Sequence, residues 1–177
     1  MIENFNQLLL KLLVSEGGLN TDPKDPGNPN GSVTNLGVTQ AVWAAYLGHR
    51  VSISDMVGLT PELVSPLYKR KYWDSVNGDN LLSGLDYCLF DTAVNSGPGR
   101  AAKILQGVLG VTQDGAIGPN TLTAIGNNDL SILIASFCAA RLDFLKSLTA
   151  YSIYGNGWSN RVNQVLKDSL TMVTNDD

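Results

Sequence analysis

At the head of the chain Phe5, Leu8, Leu9, Leu12 and Leu13 recur at helical spacing, and the next position on that apolar stripe is a carboxylate, Glu16. An i, i+3, i+4, i+7, i+8 pattern belongs to a helix with one core-facing side. Gly17 and Gly18 follow at once, and glycine supplies the left-handed residue on which helices end. The spacing predicts a helix over Asn4 to Ser15 that carries Glu16 to its C-terminal end on the buried face. Partial desolvation and the negative end of the helix dipole both favour a protonated carboxyl there. That is the form a general acid needs. The alternative for Glu16 is a frayed helix end in water.

The segment Asp22 to Val33 interrupts the helical pattern with Pro, Gly and Asn. It excludes a helix and a long strand, and suits a short hairpin around the turn pair Asn30-Gly31. Helix patterns then dominate. Gln40 to Leu47 has Thr39 as cap and Gly48 as stop. Thr60-Pro61-Glu62 starts a helix running towards Trp73, with Pro66 kinking it or delaying its true start. Further helices are expected over Leu85 to Asn95, ended by Gly97-Pro98-Gly99, and over Arg100 to Leu109. The turn at Asp114 leads to a short helix through Ile125, followed by Leu130 to about Leu148 and Trp158 to Met172. The fold class is mainly α, with a small β element between Asp25 and Thr39.

With 177 residues, 44% of them hydrophobic, the chain can bury the core of one compact domain. Its net charge of -4 and lack of a basic run exclude a nucleic-acid binder. The N-terminus has no basic n-region, and its longest apolar stretch, Leu8 to Val14, contains Lys11. No secretory signal or membrane span is therefore expected. Cys88 and Cys138 sit in apolar helical surroundings and read as two reduced core thiols, with a disulfide as the alternative. His49 has no carboxylate or cysteine at metal spacing, so no metal site is expected. No Gly-x-Ser-x-Gly elbow or phosphate loop is present, and no cofactor is expected.

Glycosidic hydrolysis needs an acid at the leaving oxygen and a second group on the opposite face of the sugar. Glu16 suits the acid. A loop returning past the end of its own helix can bring partners from Asp22, Asp25, Ser32, Thr34 and Thr39. Asp25 has proline on its far side, which would stiffen the loop. Asp22 and Asp25 could equally serve Asx-turns. Asp91 and Asn95 share a helix face with Gly97 beyond them, and either contact a polar ligand or organise buried backbone. Trp43, Tyr72 and Trp73 are candidate sugar-stacking platforms, or simply core.

Read in order, Glu16-Gly-Gly, Asp22-Pro-Lys-Asp25-Pro-Gly and Thr34-Asn-Leu-Gly37-Val-Thr39 resemble the glycoside hydrolase family 108 N-acetylmuramidases. The likeness continues through Tyr68 with Tyr72-Trp73-Asp74, and through Asp91-x-x-x-Asn95-x-Gly97 to Leu105-Gln106. Asp114-Gly-x-Ile-Gly-Pro-x-Thr resembles the predicted peptidoglycan-binding half that follows in such enzymes. Gly157-Trp158-x-Asn160-Arg161 matches a further family motif near the C-terminus. Leu19 stands where the family has tyrosine, and the turn after Asp25 is longer than usual.

The resemblance implies a lysozyme-like helical fold with a small β-hairpin after the first helix. It implies hydrolysis of the β-1,4 bond between N-acetylmuramic acid and N-acetylglucosamine, with Glu16, Asp25 and Thr34 catalytic. Asp22, Gly37, Thr39, Trp73, Asp91 and Asn95 would bind substrate, with no metal. It divides the chain into a catalytic half, 1–99, and a C-terminal helical half, 100–177, packed on it as one unit. The Glu–Asp–Thr order also resembles phage lysozymes. That implies an endolysin, monomeric and without stable membrane insertion, held in the host cytoplasm until release to the peptidoglycan. The alternatives are a non-catalytic peptidoglycan-binding scaffold or an exported antibacterial effector.

Overall fold

The computed structural model describes residues 2–22, 24, 25 and 27–175. Pro23 and Pro26 of the Asp-Pro turns, and so the stiffening expected beside Asp25, lie outside the described residues. The chain divides into two compact units, Glu3–Arg70 and Lys71–Asp177.

In the first unit, α1 (Ile2–Glu16) ends where the double glycine predicts, with Gly17 at φ +80°. Its stripe is core: Phe5, Leu8, Leu9, Leu12 and Leu13 are all buried. The β element is a two-stranded antiparallel hairpin, β1 (Thr34–Asn35) and β2 (Val38–Thr39), with Thr34 opposite Thr39 and Asn35 opposite Val38. Its turn is Leu36-Gly37, and not Asn30-Gly31 as the sequence suggested. Both turn residues have positive φ, +50° and +71°, the conformation that suits a two-residue hairpin. Asn30 and Gly31 are left-handed too, at +57° and +76°, but they lie at a single 3-10 turn, Pro29–Gly31. Among the described residues no strand precedes that turn. Thr34 instead exchanges both backbone hydrogen bonds with Asn20, at 2.7 and 3.0 Å.

Three helices complete the unit. α2 (Gln40–Leu47) follows β2 directly, capped by Thr39 and stopped by left-handed Gly48. α3 (Ile53–Val57) carries a capping box between Ser52 and Asp55. The buried side chain of Asn35 donates to the Met56 carbonyl at 2.8 Å and ties α3 to the hairpin. α4 (Pro61–Tyr68) starts on its Thr60 cap and continues through Pro66 into a π turn, Lys69–Trp73.

The second unit is helical. α5 (Leu85–Ser96) is buried at every residue from Leu85 to Ala93, as a helix enclosed by others must be. It packs on α6 (Pro98–Leu109), α8 (Leu130–Lys146) and α9 (Tyr151–Asn175). The short α7 (Pro119–Gly126) follows the Asp114 turn. α9 starts at Tyr151, earlier than Trp158 as its periodicity suggested, and runs through Gly155 and Gly157. Gly155 is buried beneath Tyr151, where a Cβ would lie 2.8 Å from the ring. This i, i+4 contact within α9 offsets part of the poor helix propensity of glycine.

Buried Asp91 on α5 is the ionic centre of this unit. It pairs with Arg141 of α8 at 2.7 Å and with the Arg161 Nη2 of α9 at 2.8 Å. The cluster crosses the 99/100 position expected as a domain boundary, so α5 belongs structurally with the helices after it. Cys88 and Cys138 are free and buried, with their sulfurs 3.6 Å apart. Among the described residues no single helix is long and apolar enough to cross a membrane. The bent pair α7 and α8 would pass on length and composition, but Leu133, Ile134, Phe137 and Leu145 of α8 are buried as core.

Candidate active site

The Leu36-Gly37 turn is seated against the half-buried side chain of Glu16. A Cβ placed on Gly37 would stand 3.1 Å from both Cβ and Oε2 of Glu16, and 2.6 Å from the Tyr68 hydroxyl. Only glycine lets the turn approach this closely, and it also tolerates the positive φ. The Tyr68 hydroxyl donates to the Leu36 carbonyl at 2.9 Å. Tyr68 therefore anchors a non-glycine residue at positive φ, which is otherwise costly. Helix end, hairpin tip and tyrosine meet around one carboxylate.

The other end of the hairpin holds the second cluster. A Cβ on Gly27 would stand 3.1 Å from Asp25 Oδ1, 3.2 Å from Thr34 Oγ1 and 3.2 Å from Thr39 Cγ2. Asp25, Thr34 and Thr39 thus converge on one bare backbone position. The Asp25 carboxylate accepts from Asn20 Nδ2 at 2.6 Å and from the Gly27 amide at 2.7 Å. Thr34 donates its hydroxyl proton to Asn28 Oδ1 at 2.8 Å. Buried Asn28 in turn donates to the Asn20 and Asp22 carbonyls, at 3.1 and 3.2 Å. Side-chain amides of Asn20 and Asn28 thus brace the described part of the loop beside its backbone turns.

The remaining sequence candidates fall elsewhere. Asp22 is exposed and accepts from the Lys24 amide at 2.9 Å, which is an Asx-turn. Thr39 caps α2 through the Val42 amide at 3.3 Å. Trp73 is fully buried, with its indole N–H on Asp79 at 2.8 Å and its ring edge-on to Phe90. It fills core in its own unit and offers no ring face. Trp43 is buried and stacks on Tyr46, whereas Tyr72 is half-buried beneath the Lys71 ammonium. Asp91 is enclosed by Arg141 and Arg161, while Asn95, on the same helix, is exposed. Among the described residues no three metal-ligating side chains gather. The exposed His49 ring lies 2.9 Å from the Arg50 carbonyl.

Three contributors escaped the sequence reading. Asn20 and Asn28 look like ordinary loop residues, and Tyr68 looks like part of a helix motif. The one available signal was density of asparagine beside a loop aspartate, since Asn side chains commonly organise turns.

Comparisons with known proteins identify the family. Residues 9–97 match the family described as Glycosyl hydrolase 108, and residues 100–163 match the Predicted Peptidoglycan domain. The structure of Brucella abortus SagA is similar at 39% sequence identity and a TM-score of 0.85, over 97% of each chain. No curated protein matches. The two segments meet between residues 97 and 100, where the motifs place the division, although α5 packs with the later helices. The fold is mainly α and lysozyme-like, with one small hairpin. The chain belongs to the glycosyl hydrolase 108 family and is a glycoside hydrolase of peptidoglycan.

Proposed function

We propose that the protein is an N-acetylmuramidase that cleaves the β-1,4 bond between N-acetylmuramic acid and N-acetylglucosamine, with Glu16 protonating the leaving oxygen. The observation that carries this reading is the seat of the Gly37 turn on the Glu16 side chain. It fixes a carboxyl group, half-buried, at the tip of a hairpin whose other end carries Thr34, with Asp25 of the preceding loop near it. In this reading Asp25 acts on the opposite face of the sugar. Its two hydrogen-bond donors orient the carboxylate. The Thr34 hydroxyl has committed its proton to Asn28, so it can only accept. That suits a group holding a water by one hydrogen while Asp25 takes the other. Asp22 and Thr39 support the loop and the start of α2. Asp91 stabilises the unit that carries Asn95.

Glu16→Gln keeps the shape and removes the acid, so wall hydrolysis should fall by at least about 10²-fold. Near-normal activity ends the assignment. Mass spectrometry of digested peptidoglycan locates the cleaved bond. New reducing ends on N-acetylmuramic acid support a muramidase, and ends on N-acetylglucosamine refute it. NMR of the first-formed anomer distinguishes retention, which needs carboxyl groups about 5 Å apart, from inversion at roughly 6.5–9.5 Å. We further propose host lysis as the setting, on the Glu16, Asp25, Thr34 order that resembles phage lysozymes. Holin and spanin genes beside its own would agree, and an immunity gene would point to an antibacterial effector.

A further inference from the structure

α9 opens with Tyr-Ser-Ile-Tyr-Gly-Asn-Gly-Trp-Ser-Asn, residues 151–160, a stretch with no charged side chain. Tyr151, Tyr154 and Trp158 are spaced i, i+3 and i+7 and fall on one helix face. The Trp158 ring centroid lies 5.9 Å from that of Tyr154 and 6.2 Å from that of Tyr151. Tyr151 is locked in place. Its ring covers Gly155, where a Cβ would lie 2.8 Å away. Its hydroxyl is 2.9 Å from Ser159 Oγ, which gives its own proton to the Gly155 carbonyl at 2.7 Å. The tyrosine must therefore be the donor. Beside this fixed ring Tyr154 is 57% exposed and its neighbour Ile153 is 75% exposed. Tyr151 and Trp158 are half-buried, so they form a fixed base for an exposed tyrosine ring that the core does not use.

We propose that the Tyr151–Tyr154–Trp158 face of α9 is a subsite for the glycan strand of peptidoglycan; this rests on the peptidoglycan reading above. A pyranose ring presents a face of C–H bonds with partial positive charge, which packs on the negative face of an aromatic ring. The lack of charge favours a neutral sugar backbone over an anionic lipid or polyelectrolyte. The three aromatics also lie inside the segment, residues 100–163, that matches the Predicted Peptidoglycan domain. In the Trp158-Ser-Asn-Arg161 motif, the arginine is spent on Asp91 and the tryptophan belongs to the ring cluster.

The test is sedimentation of the full-length Glu16→Gln chain with purified, undigested sacculi. Adding Tyr154→Ala should weaken binding about fivefold, with circular dichroism and melting unchanged because the side chain is exposed. Tyr154→Phe, which keeps the ring, should restore binding. Ile132→Ala removes another exposed apolar residue, on α8, and should leave binding unaltered. Binding unchanged by Tyr154→Ala, or equally weakened by Ile132→Ala, overturns the proposal. So does loss of self-association in ultracentrifugation without loss of sacculus binding, which would make the face a contact between copies. Failure of the muramidase reading is scored separately, by the sugar found at new reducing ends in wild-type digests.

Discussion

Gly37 combines two demands that no other residue meets at once. Its φ is +71°, and the space a Cβ would occupy lies 2.6 Å from the Tyr68 hydroxyl and 3.1 Å from Glu16 Oε2. Gly37→Ala should therefore cost stability of about 1–3 kcal/mol and push the turn off Glu16, so turnover should fall with the melting temperature. Retained activity would mean that the turn is not needed to hold Glu16. Tyr68→Phe is the milder probe. It keeps the packing and removes the bond to Leu36, worth about 0.5–1.5 kcal/mol, so kcat should drop more than binding to sacculi. Asp91 poses a different question. Removing it strands Arg141, which is 1% exposed with Nε and Nη1 buried and without a hydrogen-bond partner. Breaking a buried pair from one side costs about 3–5 kcal/mol. Asp91→Ala should lower the melting temperature by on the order of 10 °C. A change of substrate binding at unchanged stability would instead make Asp91 a ligand contact.

At the scale of elements, local signals were legible and long-range ones were not. The Thr39 cap, the Gly48 stop, the Thr60-Pro61 start and the Gly17 ending all lie where the residues imply. Each depends on one or two side chains acting on neighbouring backbone. The hairpin escaped a local reading because two adjacent turn pairs competed, and pairing of Thr34 with Asn20 decided between them. The start of α9 escaped for a local reason: Gly155 and Gly157 argue against a helix, and the offsetting i, i+4 contact of Tyr151 over Gly155 carries no signal in residue type. The Asp114 turn motif proves to be an organiser of buried polar groups. Gln106, 1% exposed, donates to Asp114 Oδ1 at 2.6 Å and to the Ala116 carbonyl at 3.0 Å, and accepts from the Gly115 amide at 2.9 Å. The Ala116 amide and Gln106 together hold the Asp114 carboxyl below its ordinary range. Gln106→Leu removes the partner of the Gly115 amide and one of the two donors on Asp114 and on the Ala116 carbonyl, which keep the Ala116 and Gly118 amides; it should cost about 1 kcal/mol, read as a lower denaturant midpoint. An unchanged midpoint would mean that water replaces the amide fully.

Across the molecule, titration and thiol chemistry report on the helical unit. Burial, followed by the Asp91 and Asp168 charges, pushes Tyr87 from 10.0 up to about 12. The folded state keeps a proton that the unfolded chain releases first, so this contribution is intact below pH 10 and is lost as pH rises towards 12. Melting temperature should fall over that window, and Tyr87→Phe should flatten the fall. An equal slope in the variant would assign alkaline unfolding to other groups. The Cys138 hydrogen bond, reinforced by burial, holds the Cys88 thiol well above its ordinary range. Alkylation of Cys88 should be slow in the native protein and rapid in denaturant. Fast native labelling would show local opening of α5.

By itself the sequence determined the helical class, the helix punctuation, the carboxylate at the end of α1 and the family motifs, because these live in residues within a few positions of one another. Only the tertiary structure decided that Gly37 is the position on which Glu16 and Tyr68 close, and that Asn20 and Asn28 set the Asp25 loop. It also decided that Asp91 belongs to an arginine cluster rather than an open surface, and that Trp73 is core. Those outcomes depend on chain segments many residues apart meeting in space, where desolvation and hydrogen-bond satisfaction select among roles that residue type alone leaves equal.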